Sequence, residues 1–373
     1  MLFKTLILAS TLIAIMALPD APRSSQAEQV DALFASYSNS PGAAVAVVKD
    51  GKILLAKGYG FADVQAKTPI TEDTGFDIAS CSKPFTATAV LLLAGRGKLD
   101  LEDPLAKTCP EFTGGAAAVT IRQLLNHTGG LADYESLFVA SGRVGPIVPM
   151  PSSTKHQDGE PTSADTLKLL AGNGSLEFPP GTKFDYSNSG YVVLGQVVER
   201  TSGERLAEFL KREVFRKLGM KHTILVDERL QDVLLRAHGY AKKDDRDDMD
   251  FTPLNRIYGD GNVHSSARDM AIWLASLDRH AILPEGWQRL AWTPADLIGG
   301  GVTDYGFGWV VGSHKGEPEV SHEGGWAGFE SSILYFPQRK IGVVVLSNLE
   351  EMPVGDLSTK IADIYLQSQT PSL

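Results

Sequence analysis

The sequence Phe76-Asp77-Ile78-Ala79-Ser80-Cys81-Ser82-Lys83-Pro84-Phe85 leads into an apolar run that reaches Ala94. The run and the glycines after it predict a helix that Ser80 opens. Residues three positions apart share one face of a helix, so the Lys83 amine is expected to reach the Ser80 hydroxyl. A serine becomes a nucleophile beside a base, and a lysine can serve once burial lowers its pKa. The positive end of the helix would stabilise an oxyanion there.

A second Ser-x-x-Lys pattern occurs at Ser152-Ser153-Thr154-Lys155. It follows Pro149-Met150-Pro151, and no apolar helix comes after it. Without a helix, a spacing of three residues does not bring the amine to the hydroxyl. This copy is therefore interpreted as a surface loop.

A Tyr-x-Asn pattern at Tyr186-Ser187-Asn188 follows Pro180-Gly181 and precedes an apolar run with helical spacing. A tyrosine phenol can relay a proton to a leaving group. An asparagine can hold an amide of the substrate. The similar Tyr37-Ser38-Asn39 lies close to the expected mature N-terminus, where a turn or a cap is the better interpretation.

A His-x-Gly pattern at His322-Glu323-Gly324-Gly325 ends a predicted strand, where glycines let the backbone come close to a substrate. Two other copies are interpreted structurally. His127-Thr128-Gly129 ends a predicted helix, where a histidine and a glycine are ordinary residues. His314-Lys315-Gly316 is typical of a turn between two strands.

Strands are predicted at both ends of the chain and helices between them. Residues 43–48 and 53–59 form a hairpin around Asp50-Gly51, a strong turn signal. Segments 306–311, 319–322, 328–336 and 341–347 are also predicted to be strands, and residues 361–366 a terminal helix. One antiparallel sheet built from both ends, with an all-helical region of roughly residues 80–300 inserted, predicts an α+β fold.

The patterns Ser-x-x-K, Tyr-x-Asn and His-x-Gly occur in this order, each in a fitting helix, loop or strand. On these residues the chain resembles the serine β-lactamase and penicillin-binding-protein superfamily. The likeness is to class C β-lactamases, D-Ala-D-Ala carboxypeptidases, D-aminopeptidases and related esterases. It covers nearly all of the mature chain, with supporting segments at 41–45, 124–131, 180–191 and 322–329.

The resemblance implies a role for each matching residue. Ser80 would be acylated by the substrate carbonyl, and Lys83 and Tyr186 would share the duties of base and acid. Asn188 would bind an amide of the substrate. The backbone N–H groups of Ser80 and Gly325 would form the oxyanion hole, and Gly324 would belong to the substrate-binding edge. His322 would be a substrate-binding residue, standing where such β-lactamases have the lysine of a K-T-G signature. No metal or organic cofactor is implied.

The histidine at 322 is the main departure from the family pattern. A lysine is a permanent cation that suits a substrate carboxylate, whereas histidine is mostly neutral above pH ~6.5. This difference favours a D-amino-acid peptidase or carboxylesterase over a class C-like β-lactamase, which remains the alternative. A non-catalytic penicillin-binding sensor or scaffold is a further alternative. So is a metallohydrolase, although the sequence has no clustered histidine ligands.

The N-terminus has the pattern of an export signal. Lys4 precedes an apolar run at residues 6–18, and Ser25-Gln26-Ala27 is a small-x-small cleavage site, with cleavage near Ala17 as an alternative. Residues 1–27 are therefore expected to be removed, leaving residues 28–373 as one hydrolase domain in the periplasm or medium. No stable membrane insertion is expected after cleavage.

The charge balance limits the class of partner. The 373-residue chain has 45 acidic and 35 basic residues and a formal net charge of −10, so a nucleic-acid partner is not expected. The expected partner is a small-molecule or peptide substrate, and the sequence leaves the oligomeric state open. The two cysteines, Cys81 and Cys109, are expected to be unpaired.

Overall fold

A six-stranded antiparallel sheet joins the two ends of the chain in the computed structural model, which describes residues 24–154, 156–227, 229 and 232–367. The strand order is β2-β1-β11-β10-β9-β8. The strands of this sheet are β1 (Ala43–Lys49), β2 (Lys52–Tyr59), β8 (Val310–His314), β9 (Glu317–Trp326), β10 (Phe329–Phe336) and β11 (Ile341–Ser347). The β1–β11 pairing, from Ala43 opposite Ser347 to Lys49 opposite Ile341, confirms the prediction of one sheet built from both ends.

The sheet is covered on both faces, which explains why β1 and β11 are apolar along nearly their whole length. Side chains alternate between the faces of a strand. Ala43, Val45 and Val47 pack with the N- and C-terminal helices, whereas Ala44 and Ala46 belong to the larger core beneath the helical region. Central strands that are buried on both faces read as continuous hydrophobic runs.

Helices occupy most of the chain between β2 and β8. Two of them carry the site: α2 is buried over nearly its whole length and packs against α7. The helices are α1 (Gln26–Phe34), α2 (Lys83–Gly95), α3 (Gly114–Ala117), α4 (Ile121–Leu125), α5 (Tyr134–Ala140), α6 (Ser163–Asn173), α7 (Asn188–Ser202), α8 (Leu206–Leu210), α9 (Arg216–Leu218), α10 (Ala267–Leu277), α11 (Glu285–Ala291) and α12 (Val354–Leu366).

The inserted region also contains long irregular segments and short strands. β6 (Ile224–Leu225) and β7 (Val263–Ser265) lie within it, and they pair in a small sheet with β5 (Phe76–Asp77). β3 (Phe61–Asp63) and β4 (Thr68–Pro69) form a second small sheet. The small β5-β7-β6 sheet places the residues just before Ser80 beside the end of the loop that precedes α10.

Three predicted elements have different bounds. The strand expected at 319–322 runs from Glu317 to Trp326, so His322 lies within it rather than at its end. The strand expected at 306–311 begins only at Val310, because Gly308 has a φ of 78° and forms a turn against the backbone of Lys83. The terminal helix begins at Val354 rather than at residue 361. Both cysteines are buried and unpaired, as expected.

The expected signal segment lies largely outside the described residues, which begin at Ser24. Ser25 caps α1, where its hydroxyl accepts a hydrogen bond from Glu28 N and the Glu28 carboxylate accepts one from Ser25 N. Cleavage after Ala27 would remove this cap, whereas cleavage near Ala17 would leave it in place. Among the helices that the structure describes, none is long and apolar enough to cross a membrane.

Candidate active site

Ser80 lies in a strained turn at the entrance to α2. A 3₁₀ turn, Ala79–Ser82, precedes the helix, so Ser80 does not open α2 itself as the sequence predicted. Ala79 has a φ of 45°, a conformation that costs a non-glycine residue about 1–3 kcal/mol. The Asp77 carboxylate accepts a hydrogen bond from Ala79 N (2.8 Å) and holds the turn. Strain of this kind is concentrated at functional sites.

Lys83 is fully buried, and its amine reaches Ser80 as predicted. Nζ lies 2.9 Å from Ser80 Oγ, 2.9 Å from Asn188 Oδ1 and 3.0 Å from the Asp260 carbonyl oxygen. Burial lowers the Lys83 pKa to about 8, and the negative charge of Asp260 opposes this shift. A lysine with this pKa is partly neutral near pH 7, as a general base requires.

Tyr186 and Asn188 are brought to the same place by the start of α7. The Tyr186 ring centroid is 4.8 Å from Lys83 Nζ. Although 42% of Tyr186 is exposed, burial of its phenol raises the pKa above the usual value of 10. A hydrogen bond to Ser80 acts in the opposite direction and lowers the pKa. Asn188 accepts from Lys83 and donates through Nδ2 to Glu135 Oε1 (3.1 Å). The structure therefore brings together the four residues predicted at Ser80, Lys83, Tyr186 and Asn188.

His322 lies behind this group, and both its ring nitrogens are engaged within the protein. Its Nδ1 is 2.6 Å from the Glu323 carbonyl oxygen, which can only accept, so Nδ1 carries the proton. Its Nε2 then accepts from the Tyr305 hydroxyl (2.8 Å). Burial, followed by the charge of Lys83, lowers the His322 pKa to about 3. His322 is predicted to bind substrate, whereas in this geometry both its ring nitrogens are bound to protein groups and its neutral ring braces β9.

The two glycines after His322 differ in their surroundings. A Cβ on Gly324 would lie 2.7 Å from Ser80 N and 2.6 Å from the Ile78 carbonyl oxygen, so β9 can pass this close to the nucleophile only without a side chain. Gly325 is exposed and lines the cleft beside Ser80. The structure thus places Gly324 and Gly325 along one edge of the Ser80 turn.

His127 belongs to the site, although its sequence position predicted only an ordinary end of a helix. It does follow α4, but it is 2% exposed and its ring centroid lies 4.4 Å from that of Tyr186. Its Nδ1 accepts a hydrogen bond from Ser187 N (3.0 Å), and its carbonyl oxygen accepts one from Asp185 N (3.0 Å). Burial, together with the charge of Lys83, lowers its pKa. The spacing of residues along the chain did not predict that His127 would fix the Tyr-x-Asn segment.

Three acidic side chains line the cleft, and the sequence patterns did not indicate them. They are Asp77, Glu135 and Asp260, the last of which accepts from the Tyr134 hydroxyl (3.1 Å). Trp326 also lines the cleft. Among the residues that the structure describes, no group of three or more histidine, cysteine and acidic side chains could hold a metal ion.

The second Ser-x-x-Lys copy lies apart from this group. Ser152 is in a turn, as predicted, where its hydroxyl donates to the Asp248 carboxylate. Lys155 is outside the described residues. Ser38 and Asn39 lie in a turn after α1, and Lys315 and Gly316 form the turn between β8 and β9, both as predicted.

Comparisons with known proteins agree with the resemblance of the motifs. A family model described as Beta-lactamase matches residues 30–366. Penicillin-binding protein 4* of Bacillus subtilis (strain 168) is 32% identical over 324 residues, covering 82% of this chain and 68% of that protein. D-aminopeptidase of Brucella canis is 30% identical over 313 residues, covering 83% of this chain. The match spans only 57% of the length of that enzyme.

Solved structures have the same fold. A penicillin-binding protein homologue from Pyrococcus abyssi superposes with a TM-score of 0.77 at 27% identity, covering 91% of this chain and 77% of that one. D-amino acid amidase from Ochrobactrum anthropi SV3 gives a TM-score of 0.76 over 93% of this chain and all of that one. At 23% sequence identity, the similarity to this amidase supports the assignment of the fold and nothing further.

Proposed function

Because the chain belongs to the β-lactamase family, we propose that it is a serine hydrolase that cleaves an amide or ester through an acyl-enzyme on Ser80. The observation that carries this proposal is the set of contacts made by the buried Lys83 amine. Two of its three partners, Asn188 Oδ1 and the Asp260 carbonyl, can only accept hydrogen bonds. Ser80 Oγ is the one partner that can also donate.

The N–H donors and the lone pair of the Lys83 amine then indicate the first step of the reaction. A neutral amine has two N–H donors and one lone pair, and the donors are taken by the two acceptor-only partners. The lone pair is left facing the Ser80 hydroxyl, so the amine takes its proton as Oγ forms a bond to the substrate carbonyl carbon. The oxyanion would be held by the N–H groups of Ser80 and Gly325.

Tyr186 fits the second proton transfer better than the first. Its raised pKa keeps the phenol protonated near neutral pH. In the proposed sequence the phenol protonates the departing amine or alcohol as its bond to the carbonyl carbon breaks, and the Lys83 ammonium returns a proton to Tyr186. Water then attacks the acyl-enzyme along the reverse proton path, releasing the acid and restoring the Ser80 hydroxyl.

The charge of the site supports a peptidase or esterase rather than a β-lactamase. β-Lactams carry a carboxylate next to the scissile ring, and a cation such as a lysine ammonium favours its binding. His322 is neutral, with its nitrogens occupied by Tyr305 and Glu323. The family relatives at about 30% identity include a D-aminopeptidase, which is consistent with a substrate built from amino acids.

Export is part of the proposal and rests on the sequence pattern alone. A basic residue, an apolar run and a small-x-small site precede the hydrolase domain. An exported enzyme of this kind would meet peptides or esters outside the cytoplasm.

Turnover of a short-chain nitrophenyl ester, compared with that of a chromogenic cephalosporin, tests the proposed function. The Ser80→Ala variant serves as the blank and is expected to fold normally and to lose activity by several orders of magnitude. Faster turnover of the ester supports a peptidase or esterase. Faster turnover of the cephalosporin identifies a β-lactamase, and activity retained by Ser80→Ala contradicts the mechanism.

A further inference from the structure

Asp260 contacts the proposed base through its backbone carbonyl. This oxygen accepts a hydrogen bond from Lys83 Nζ (3.0 Å), and the residue lies in the loop just before β7, where it lines the cleft. Any amino acid at position 260 would provide the same carbonyl oxygen. The contact therefore does not account for the carboxylate, which belongs to a residue that is only 7% exposed.

The Asp260 carboxylate is held by a hydrogen bond from a second buried residue. Its Oδ2 accepts from the Tyr134 hydroxyl (3.1 Å), and the Tyr134 backbone N–H donates to Ser189 Oγ (2.9 Å) at the start of α7. A buried carboxylate is costly unless it is both hydrogen-bonded and balanced by a positive charge. Burial keeps the phenol of Tyr134 neutral by raising its pKa, so it supplies the hydrogen bond and no charge.

Lys83 is the cation that acts on this carboxylate. Burial raises the pKa of the Asp260 carboxyl, and the charge of Lys83, followed by the hydrogen bond from Tyr134, acts in the opposite direction. The influence is mutual: burial lowers the Lys83 pKa, and Asp260 opposes this change more than Cys81 or Glu135 does. Asp260 is therefore the acidic residue of the cleft that acts most strongly on the proposed base.

The other titratable groups that face the Lys83 amine within the described structure are uncharged near pH 7, apart from Glu135. Burial raises the pKa of two tyrosines and one thiol, and it lowers the pKa of two histidines. These groups are Tyr186, Tyr191, Cys81, His127 and His322. Glu135 is half-buried, whereas Asp260 is buried.

The proposed reaction creates a positive charge beside this buried carboxylate. When the neutral amine takes the Ser80 proton as Oγ bonds to the substrate carbonyl carbon, Lys83 becomes an ammonium group. The Asn188 and Asp260 carbonyl oxygens accept its N–H groups but carry no net charge. We propose that Asp260 is a positioning residue that acts through Lys83, with its buried carboxylate as the counter-charge of the ammonium group formed when Ser80 attacks. This inference rests on the proposed acyl-enzyme function.

The pH dependence of Asp260→Asn tests the proposal in the mature enzyme. Asparagine keeps the shape, the backbone carbonyl and an acceptor for Tyr134, and it removes only the charge. The rise of kcat/KM with pH, expected near pH 8 in the wild type, should move to lower pH by about one unit, because a nearby opposite charge changes a pKa by about that much or more. The plateau should fall by up to about tenfold, the rate equivalent of one pKa unit.

Nitrophenyl-ester turnover, measured from below to well above pH 8, gives both quantities. A lower plateau with an unmoved midpoint would show that Asp260 only supports the structure, and would overturn the inference. Asp133→Asn is the matched control: it removes the charge of an exposed carboxylate nearby, keeps an oxygen to cap α5, and should change neither quantity. An equal shift of the midpoint in this control would also contradict the proposal.

Glu135→Gln decides the question if circular dichroism shows that Asp260→Asn does not fold. Glutamine keeps the acceptor for Asn188, and the midpoint should stay within about half a pH unit of the wild-type value, because Glu135 is the weaker influence on Lys83. A shift of about one unit to lower pH would assign the counter-charge to Glu135 and overturn the inference. Absence of Ser80-dependent ester turnover at every pH would instead contradict the proposed function.

Discussion

Two buried histidines flank the Lys83 and Tyr186 side chains, and their protons are held on opposite ring nitrogens. His322 faces a backbone carbonyl at Nδ1, so its proton is on Nδ1 and its Nε2 accepts from Tyr305. His127 faces the Ser187 backbone N–H at Nδ1, so its Nδ1 is the acceptor. Burial is the main cause that lowers the pKa of both rings, and the charge of Lys83 adds to it in each case.

The contrast between the two histidines shows that the backbone group facing Nδ1 determines the role of each His-x-Gly pattern. The His127 ring packs under Tyr186 and fixes the segment that carries Tyr186 and Asn188. The His322 ring instead joins β9 to Tyr305. One histidine therefore positions the proposed acid, and the other braces the strand that borders the proposed oxyanion hole.

The largest expected effect comes from Lys83, whose charge acts on both rings. Lys83→Met should lower kcat by roughly three orders of magnitude or more, because it removes the proposed base, whose amine lies 2.9 Å from Ser80 Oγ. Steady-state turnover of a nitrophenyl ester measures this loss. Turnover within tenfold of the wild-type value would show that another group activates Ser80.

The pH dependence of kcat/KM in the wild-type enzyme should also report the titration of Lys83. The Lys83 pKa is lowered to about 8, so the amine is protonated and inactive as a base below that pH. We expect kcat/KM to rise with pH and to level off above about 8. This rise with pH should be absent from the residual activity of Lys83→Met. A rise that persists in this variant would come from the titration of a different group.

Replacements of His127 should have the next largest effect. His127→Phe keeps a ring under Tyr186 but leaves the Ser187 N–H without an acceptor, a loss of about 1–3 kcal/mol. We expect kcat to fall by about tenfold or more while KM changes little, because the proposed acid is misplaced after substrate has bound. Stopped-flow or steady-state kinetics on an ester gives both constants.

His127→Asn is the matched variant. Asparagine offers an acceptor oxygen close to the position of Nδ1, and it tolerates the φ of 60° found here. It should therefore recover part of the kcat that His127→Phe loses. Equal kcat values for the two variants and the wild type would show that the hydrogen bond to Ser187 does not position Tyr186.

The sequence predicted the sheet and the catalytic group better than the lining of the cleft. Ser80 and Lys83 are close in the chain, so helical spacing alone brought them together. The apolar runs at β1 and β11 likewise predicted a sheet joined from both ends. His127, Glu135 and Asp260 meet the site only through the packing of separate segments, and no local period encodes that packing.

The hydrogen-bond partners of His322 could not be predicted for a related reason. Its predicted place at the end of a strand, before two glycines, is typical of a substrate-binding residue, although β9 continues to Trp326. What the sequence does not give is the position of Tyr305, which occupies Nε2, or the turn of the backbone that brings the Glu323 carbonyl to Nδ1. Hydrogen-bond partners from distant segments decided the outcome.

Removing the His322 ring should affect stability more than catalysis. His322→Leu leaves the buried Tyr305 hydroxyl without its partner and should lower the free energy of unfolding by about 1–3 kcal/mol. We expect kcat/KM to change by less than about tenfold. Chemical denaturation and ester kinetics measure the two effects.

Tyr305→Phe completes a double-mutant cycle with His322→Leu. The double variant should be less destabilised than the sum of the two single variants, because the contact between His322 Nε2 and the Tyr305 hydroxyl is then removed from both sides. Nitrogen chemical shifts of the ring should place the His322 proton on Nδ1 and that of neutral His127 on Nε2. If His322→Leu instead raises KM strongly and leaves the free energy of unfolding unchanged, His322 binds substrate.

The smallest effect is expected at Ser152, which repeats for Ser-x-x-Lys the contrast seen between the two histidines. Ser80 stands at the entrance to a buried helix, whereas Ser152 lies in a turn with its hydroxyl bound to Asp248. Ser152→Ala should leave kcat/KM within about twofold and cost about 1 kcal/mol of stability from the lost hydrogen bond. A large loss of turnover in this variant would mean that the wrong serine has been assigned as nucleophile. An unchanged kcat/KM supports the view that three-dimensional context gives each repeated pattern its role.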